Sequence, residues 1–425
     1  MNIAVIGAGW AGLAAAIKAT QDGHQVALFE SARTPGGRAR SLGVTGPDGT
    51  PLLLDNGQHI LIGAYTETLR LMREVGVDPN VALLHLPLTL RFPDGTGIRC
   101  PHAPAPLDAL AGILGAKGWQ WRDKWSLLKA SLGWQRAGFV CPPHMSVADL
   151  CSGLTERVRS EMIDPLCVSA LNTPASEASG QVFLRVLQDA LFGVSGGSHL
   201  LLPRVDLGAL FPDAALRWLA AHGAHIHLGQ RIQSVQQQMD ATWLVDGEVF
   251  TRVVLACSPQ EASRLVAGSG VATTAAEEWV AQADALRFEA ITTVYATSAS
   301  VAQKPLAQPM LALRNTPTLP AQFVFDRGQL GSPRGMLAFV ISASEGDRAT
   351  VERQVCAQAV AQLGLQDVQA LQTVVEKRAT FACTPGLKRP AMDVAPGLRV
   401  CGDYVEGPYP ATLEGAVRSG WAAGV

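Results

Sequence analysis

The chain has 425 residues, with 34 Lys plus Arg against 36 Asp plus Glu; 48% of it is apolar and only 16% charged. At roughly 150 residues per domain this length supports about two to three domains and a sizeable core. The near-neutral balance excludes a protein that works by neutralising nucleic-acid phosphates, which takes a basic face.

The charged share lies below the usual ~25% of soluble domains; a greasy substrate accounts for that, and so does an Ala- and Gly-rich composition. Eight cysteines stand singly, with no Cys-x-x-Cys pair and no Cys/His cluster at zinc spacing. A reduced, cytoplasmic protein without structural metal is therefore expected. Residues 2–6 already read as a strand, which leaves no room for a charged leader. No apolar run reaches the ~18 residues of a membrane span, so the protein is expected in the cytoplasm or peripherally on the inner face of the cytoplasmic membrane.

In chain order, a short apolar run, Asn2 to Ile6, leads into Gly7-Ala8-Gly9-Trp10-Ala11-Gly12 and a small-residue helix to Gln21. A second apolar run, Gln25 to Phe29, ends at Glu30. Strand, glycine turn, helix, strand and acid form a βαβ unit of dinucleotide-binding type. Gly7 permits the tight turn, Gly9 lets backbone approach a pyrophosphate, and Gly12 lets helix and strand pack closely. The helix N-terminus, with Trp10 and Ala11, offers N–H groups to phosphate. Glu30 is placed to accept the ribose hydroxyls.

Between residues 104 and 145 the composition changes. Trp119, Trp121, Trp125 and Trp134 are interleaved with Lys117, Arg122, Lys124, Lys129 and Arg136. Trp121, Trp125, Leu128 and Leu132 recur at helical spacing with basic residues beside them. Two readings are open: a helix at a membrane surface, where rings and long cations suit the interface, or an amphipathic helix packed on its own core. Further on, a helix over 207–221 precedes short strands at 226–228, 234–238, 242–245 and 252–256. Strands and turns alternate over 285–345, and Leu398 to Asp403 and a helix from Leu413 to Ala423 close the chain. His225 and His227 share one face of a strand, but without a third ligand nearby they read as a solvated face and not a metal site.

Gly36-Gly37-Arg38 follows Glu30 after five residues. This second glycine pair resembles the amine oxidase and phytoene desaturase superfamily of FAD enzymes, in which it wraps the pyrophosphate from the other side. The resemblance extends through Asp55-Asn56-Gly57-Gln58-His59, through Gly229-Gln230-Arg231-Ile232, and through Gly402-Asp403 with Ala411-Thr412-Leu413-Glu414-Gly415-Ala416. It implies FAD as cofactor. Gly57 and Gln58 would lie beside the flavin, the backbone at Ile232 at the adenine, and Asp403 on a ribityl hydroxyl or on phosphate-bound water. The helix start at Thr412, Leu413 and Glu414 would face the flavin N1 and C2 carbonyl, where charge gathers on reduction. Within the superfamily, Asp55 to Tyr65, Ser198 to Pro203 and Tyr409 to Ala416 look like the hydroxysqualene dehydroxylase family. That resemblance implies reductive loss of an allylic hydroxyl in bacterial hopanoid or related triterpene synthesis.

Such chemistry needs few side chains: an acid for the departing oxygen, a hydride donor, and apolar walls that keep water from the cation. His59 is the candidate acid or substrate-orienting group, with a purely flavin-positioning role equally open. Tyr409 either lines the substrate cavity or packs its loop. No second Gly-x-Gly-x-x-Gly follows a strand, so electrons are expected from a separate donor. Two rivals share the fold: an oxidative polyene desaturase and a non-catalytic prenyl-lipid carrier. The expected architecture is α/β: a discontinuous Rossmann-like FAD-binding domain (1–75, 200–265 and 370–425) with a mixed α+β substrate domain (76–199 and 266–369). Residues 104–145 form its candidate membrane segment.

Overall fold

The first thirty residues build the centre of a covered parallel sheet. β1 (Asn2–Ile6) and β2 (Gln25–Glu30) are runs buried except at their ends, as expected for strands covered on both faces. They are joined by α1 (Trp10–Gln21), whose alanine-rich face lets it sit close against the sheet. The computed structural model describes residues 1–46, 49–103, 106–193 and 196–424, with the backbone alone at 192. Residues 104 and 105, the first two of the Trp-rich stretch, lie outside the described residues.

Two helices carry that stretch, α2 (Leu107–Leu114) and α3 (Trp121–Arg136). β3 (His225–Leu228) then pairs parallel with β2, and β4 (Arg252–Leu255) with β1. His225 is exposed, and His227 stacks on Phe29 at 4.8 Å.

A second, antiparallel sheet follows, built from β5 (Phe288–Thr297), β6 (Met310–Ala312), β7 (Phe323–Asp326), β8 (Met336–Ser342) and β9 (Gln369–Phe381), in the order β6-β7-β8-β5-β9. Alternation divides its side chains. Val294, Val324, Leu337 and Phe339 pack beneath α4 (Arg348–Gln358), while Ile291, Phe323, Phe325 and Val340 turn to a central cleft. Residues 370–381, assigned from sequence to the FAD-binding domain, belong to this second sheet. Their mixed burial is that of an edge strand, a pattern that names no sheet.

β10 (Asp393–Ala395) and β11 (Leu398–Val400) return to the first sheet, giving the order β3-β2-β1-β4-β11-β10 with β10 alone antiparallel. β1, β4 and β11 therefore deliver their carboxyl ends, Gly7, Ala256 and Gly402, to one edge, where open α/β sheets bind ligands. α5 (Leu413–Ala423) packs on α1. A Cβ at Gly420 would stand 1.9 Å from the Ala11 carbonyl oxygen, so only glycine permits this approach. Among the described residues no helix is long and apolar enough to cross a membrane, and no group of three or more His, Cys, Asp or Glu side chains could hold a metal ion.

Candidate active site

A cleft of about 810 Å³ runs along this edge, and residues far apart in sequence share its wall. Gly7, Gly9, Trp10, Ala11, Glu30, Gly36, Gly37, Arg38, Gly57, Gln58, His59, Ile232, Gly402, Asp403, Thr412 and Leu413 all line it. The two glycine segments face each other. Gly36 N–H donates to the Ala8 carbonyl at 2.8 Å, and a Cβ on Gly37 would lie 3.2 Å from Gly9 Cα. The result is a backbone-walled channel at the N-terminus of α1, the arrangement that receives phosphate. Gly12 stays out of the wall and serves packing: a Cβ there would meet the Gly7 oxygen at 1.8 Å.

Glu30 ties this channel to the end of β2. Its Oε2 accepts from the Ala8 N–H at 2.7 Å and its Oε1 from the Ala32 N–H at 2.8 Å. Oε1 also accepts from Ser31 Oγ at 3.2 Å, whereas Oε2 keeps a further lone pair with which the carboxylate can accept a ribose hydroxyl. Across the cleft, Arg38 pairs with Asp403 at 2.5 Å and donates to the Ala379 carbonyl at 2.6 Å. The second glycine segment is thereby linked to the C-terminal one.

The Asp55–His59 segment rests on partners from the second sheet that sequence reading missed. Gln58 N–H donates to Thr293 Oγ1 at 3.3 Å, and Tyr295 donates to the Asp55 carbonyl at 3.0 Å. Arg327, just after β7, is buried against Asp55 at 3.6 Å and donates to Gln58 Oε1 at 3.0 Å. Gln58 Nε2 in turn donates to the His59 carbonyl at 3.1 Å. Burial pushes the Asp55 carboxyl up to about 6, although Arg327 and the Leu207 N–H pull it down. The only trace of this network in the sequence is a charged pair, Asp326-Arg327, closing an apolar strand.

His59 stands partly exposed in the cleft wall, with Nδ1 2.8 Å from the Gly57 carbonyl. Burial lowers its pKa below the ordinary value; the Gly57 carbonyl opposes that shift and Arg38 adds to it. Because a carbonyl only accepts, Nδ1 is assigned the proton, which leaves Nε2 a lone pair in the neutral ring.

Besides Gly12, two residues of the expected site segments have side chains directed elsewhere. The Glu414 side chain is fully buried away from the cleft; it accepts from Thr68 N–H at 2.9 Å and Oγ1 at 2.7 Å and pairs with Arg418 at 2.7 Å. It anchors α5 because a buried carboxylate must find donors and a cation. Tyr409 does not line the cleft. Its ring lies between Arg185 and Arg418, 5.6 and 5.1 Å from their guanidinium carbons, so it packs its loop. Thr412 caps α5, accepting from Gly415 N–H at 3.0 Å.

Glycine walls, an acid at the end of the second strand, and first and last motifs around one cleft define an α/β FAD-binding fold of the oxidoreductase class. The family model "Flavin containing amine oxidoreductase" matches residues 10–424, and the chain belongs to that family. It is an FAD-dependent oxidoreductase. It is 26% identical to hydroxysqualene dehydroxylase of Zymomonas mobilis, over 99% of this chain and 97% of that protein. It is also 26% identical to a probable zeta-carotene desaturase of Synechococcus elongatus, over 60% of this chain and 56% of that one. Among solved structures, cyclohexylamine oxidase of Brevibacterium oxydans superposes with a TM-score of 0.72 at 16% identity, covering all of this chain and 97% of that one.

Proposed function

We propose that this protein reductively removes the allylic hydroxyl of hydroxysqualene to give squalene, taking a long isoprenoid substrate from a membrane and electrons from a separate donor. The observation that carries the reading is the end-to-end likeness to a hydroxysqualene dehydroxylase, against a partial one to a carotene desaturase. Reduced FAD, when bound, supplies the hydride that replaces the hydroxyl, which leaves as water with a proton from solvent. Glu30, the two glycine segments, Arg38 and Asp403 would hold that cofactor; a Cβ at Gly37 would narrow the channel they form.

The chain's other contribution is orientation and exclusion of water. Ile60, Ile291, Phe323, Phe325 and Val340 give the cleft an apolar wall that suits a hydrocarbon and shields a transient allyl cation. Neutral His59 accepts a hydrogen bond from the substrate hydroxyl at Nε2 and so points the C–O bond; burial, which lowers its pKa, favours this neutral, orienting form. His59→Ala should lower kcat/KM by about tenfold, the value of one hydrogen bond. In wild type, kcat/KM should show no His59 titration above about pH 7, since the ordinary value near 6.5 is shifted down. A rate that rises as pH falls through 7, and loses that dependence in the variant, would restore the acid role.

Glu30→Ala should weaken FAD binding by about 10- to 100-fold, matching ~1.5–3 kcal/mol for hydrogen bonds to a charged group. Titration of apoprotein with FAD by flavin fluorescence checks this; an unchanged Kd contradicts the ribose role.

A further inference from the structure

We infer that α2 and α3 together form a docking face for an anionic membrane surface. On α2, Leu107, Leu110 and Leu114 are exposed at i, i+3 and i+7; on α3, Trp121, Trp125 and Leu132 are exposed at i, i+4 and i+11, with Trp121 and Trp125 67% and 56% accessible. Soluble surfaces rarely gather six large apolar side chains in two adjoining helices. Of the stripe seen in the sequence, Trp121, Trp125 and Leu132 thus face outward, while Leu128 is partly buried against the core.

That orientation is fixed from behind. Leu127 is buried, Trp119 Nε1 donates to Glu161 at 2.9 Å, and the buried Asp123 accepts from Thr155 Oγ1 at 2.7 Å. Lys124 Nζ donates to the Leu114 carbonyl at 2.6 Å and joins the end of α2 to the first turn of α3. No rotation brings the two tryptophans inside without breaking these contacts.

Charge selects the occupant. Between residues 107 and 140 the acids are Asp108 and Asp123, both buried, whereas Lys117, Arg122, Lys129 and Arg136 are exposed and Lys124 partly so. Rings and leucines flanked only by cations match the boundary of an anionic bilayer, where rings sit at headgroup level and long cations meet phosphate. A second copy of this face would bring like charges together. The docking stands on this face alone; its purpose, access to a membrane-dissolved isoprenoid, rests on the function proposed above.

Co-flotation of the FAD-loaded protein with vesicles of phosphatidylcholine, alone or mixed with phosphatidylglycerol, tests the inference. Wild type should bind the mixed vesicles and release them as salt rises. Trp121→Ser/Trp125→Ser and Arg122→Gln/Lys129→Gln should each lower that binding by at least about tenfold, the loss expected for two interfacial rings or two interfacial charges. Flavin content and Tm should be unchanged in both variants. Wild type that ignores the mixed vesicles, variants that bind as wild type does, or a concentration-dependent dimer that shields the same tryptophans would each overturn it. Vesicle binding without turnover of hydroxysqualene would remove the proposed reaction and leave the docking face. Turnover in detergent by a protein that binds neither vesicle would do the reverse.

Discussion

Gly12→Ala is expected to abolish stable retention of FAD. The added methyl would sit 1.8 Å from the Gly7 carbonyl oxygen and 2.9 Å from Ala256 Cβ. Backbone supplies the closer of these contacts, so no side-chain rotation relieves it. Either α1 lifts from the sheet or the Gly7–Gly9 turn opens, and both moves displace the N–H groups at the helix start. The cost should reach at least ~3 kcal/mol, the upper end of ordinary overpacking, with FAD affinity lowered by about 100-fold or more, the same energy expressed as a binding ratio. Gly43→Ala is the control, because its methyl would meet no atom within 4 Å. FAD titration and thermal unfolding of both variants check this, and near-wild-type affinity in Gly12→Ala would contradict the packing role.

The second large effect is expected at Arg327, 269 residues from the glutamine it supports. Arg327→Met leaves Asp55 buried without its cation and Gln58 Oε1 without that donor. Breaking a buried pair from one side costs about 3–5 kcal/mol, because the abandoned charge stays desolvated. The sign of the pH dependence follows from Asp55. Its folded pKa, near 6, lies above the ordinary 3.8, so its favourable contribution is present below about 4 and is lost as pH rises through 6. Without Arg327 the folded pKa moves higher still and the loss grows. The stability gap between variant and wild type should therefore widen between pH 5 and pH 8, measured as Tm at both. Arg327→Met/Asp55→Asn should recover part of the loss, since neither charge is then stranded. A gap that is constant with pH, or no recovery in the double variant, would contradict the pairing.

How much of this was legible depended on the range of the interaction. The Gly7–Gly12 turn, α1 and Glu30 lie within one βαβ unit, where each residue's mechanical task shows in its spacing. The C-terminal motif could be placed because Gly402 ends a strand and Thr412 opens a helix. The periodicity of Trp121, Trp125, Leu128 and Leu132 was readable, but not the direction it faced, which depends on Trp119, Asp123 and Leu127 finding partners on other elements. The task of the Glu414 carboxylate was equally illegible: the helix start was read for its N–H groups, whereas the carboxylate serves Thr68, 346 residues away. Arg327 and the sheet membership of residues 370–381 stayed hidden for the same reason, since only the folded chain brings them to their partners.

The most direct test of the proposed chemistry is anaerobic incubation of the fully reduced FAD enzyme with hydroxysqualene, following flavin absorbance and extracted lipid together. The account predicts one squalene formed for each flavin reoxidised, with no added oxidant. Flavin that stays reduced while hydroxysqualene is recovered intact, or oxidised enzyme that instead becomes reduced on adding a polyene, would contradict it.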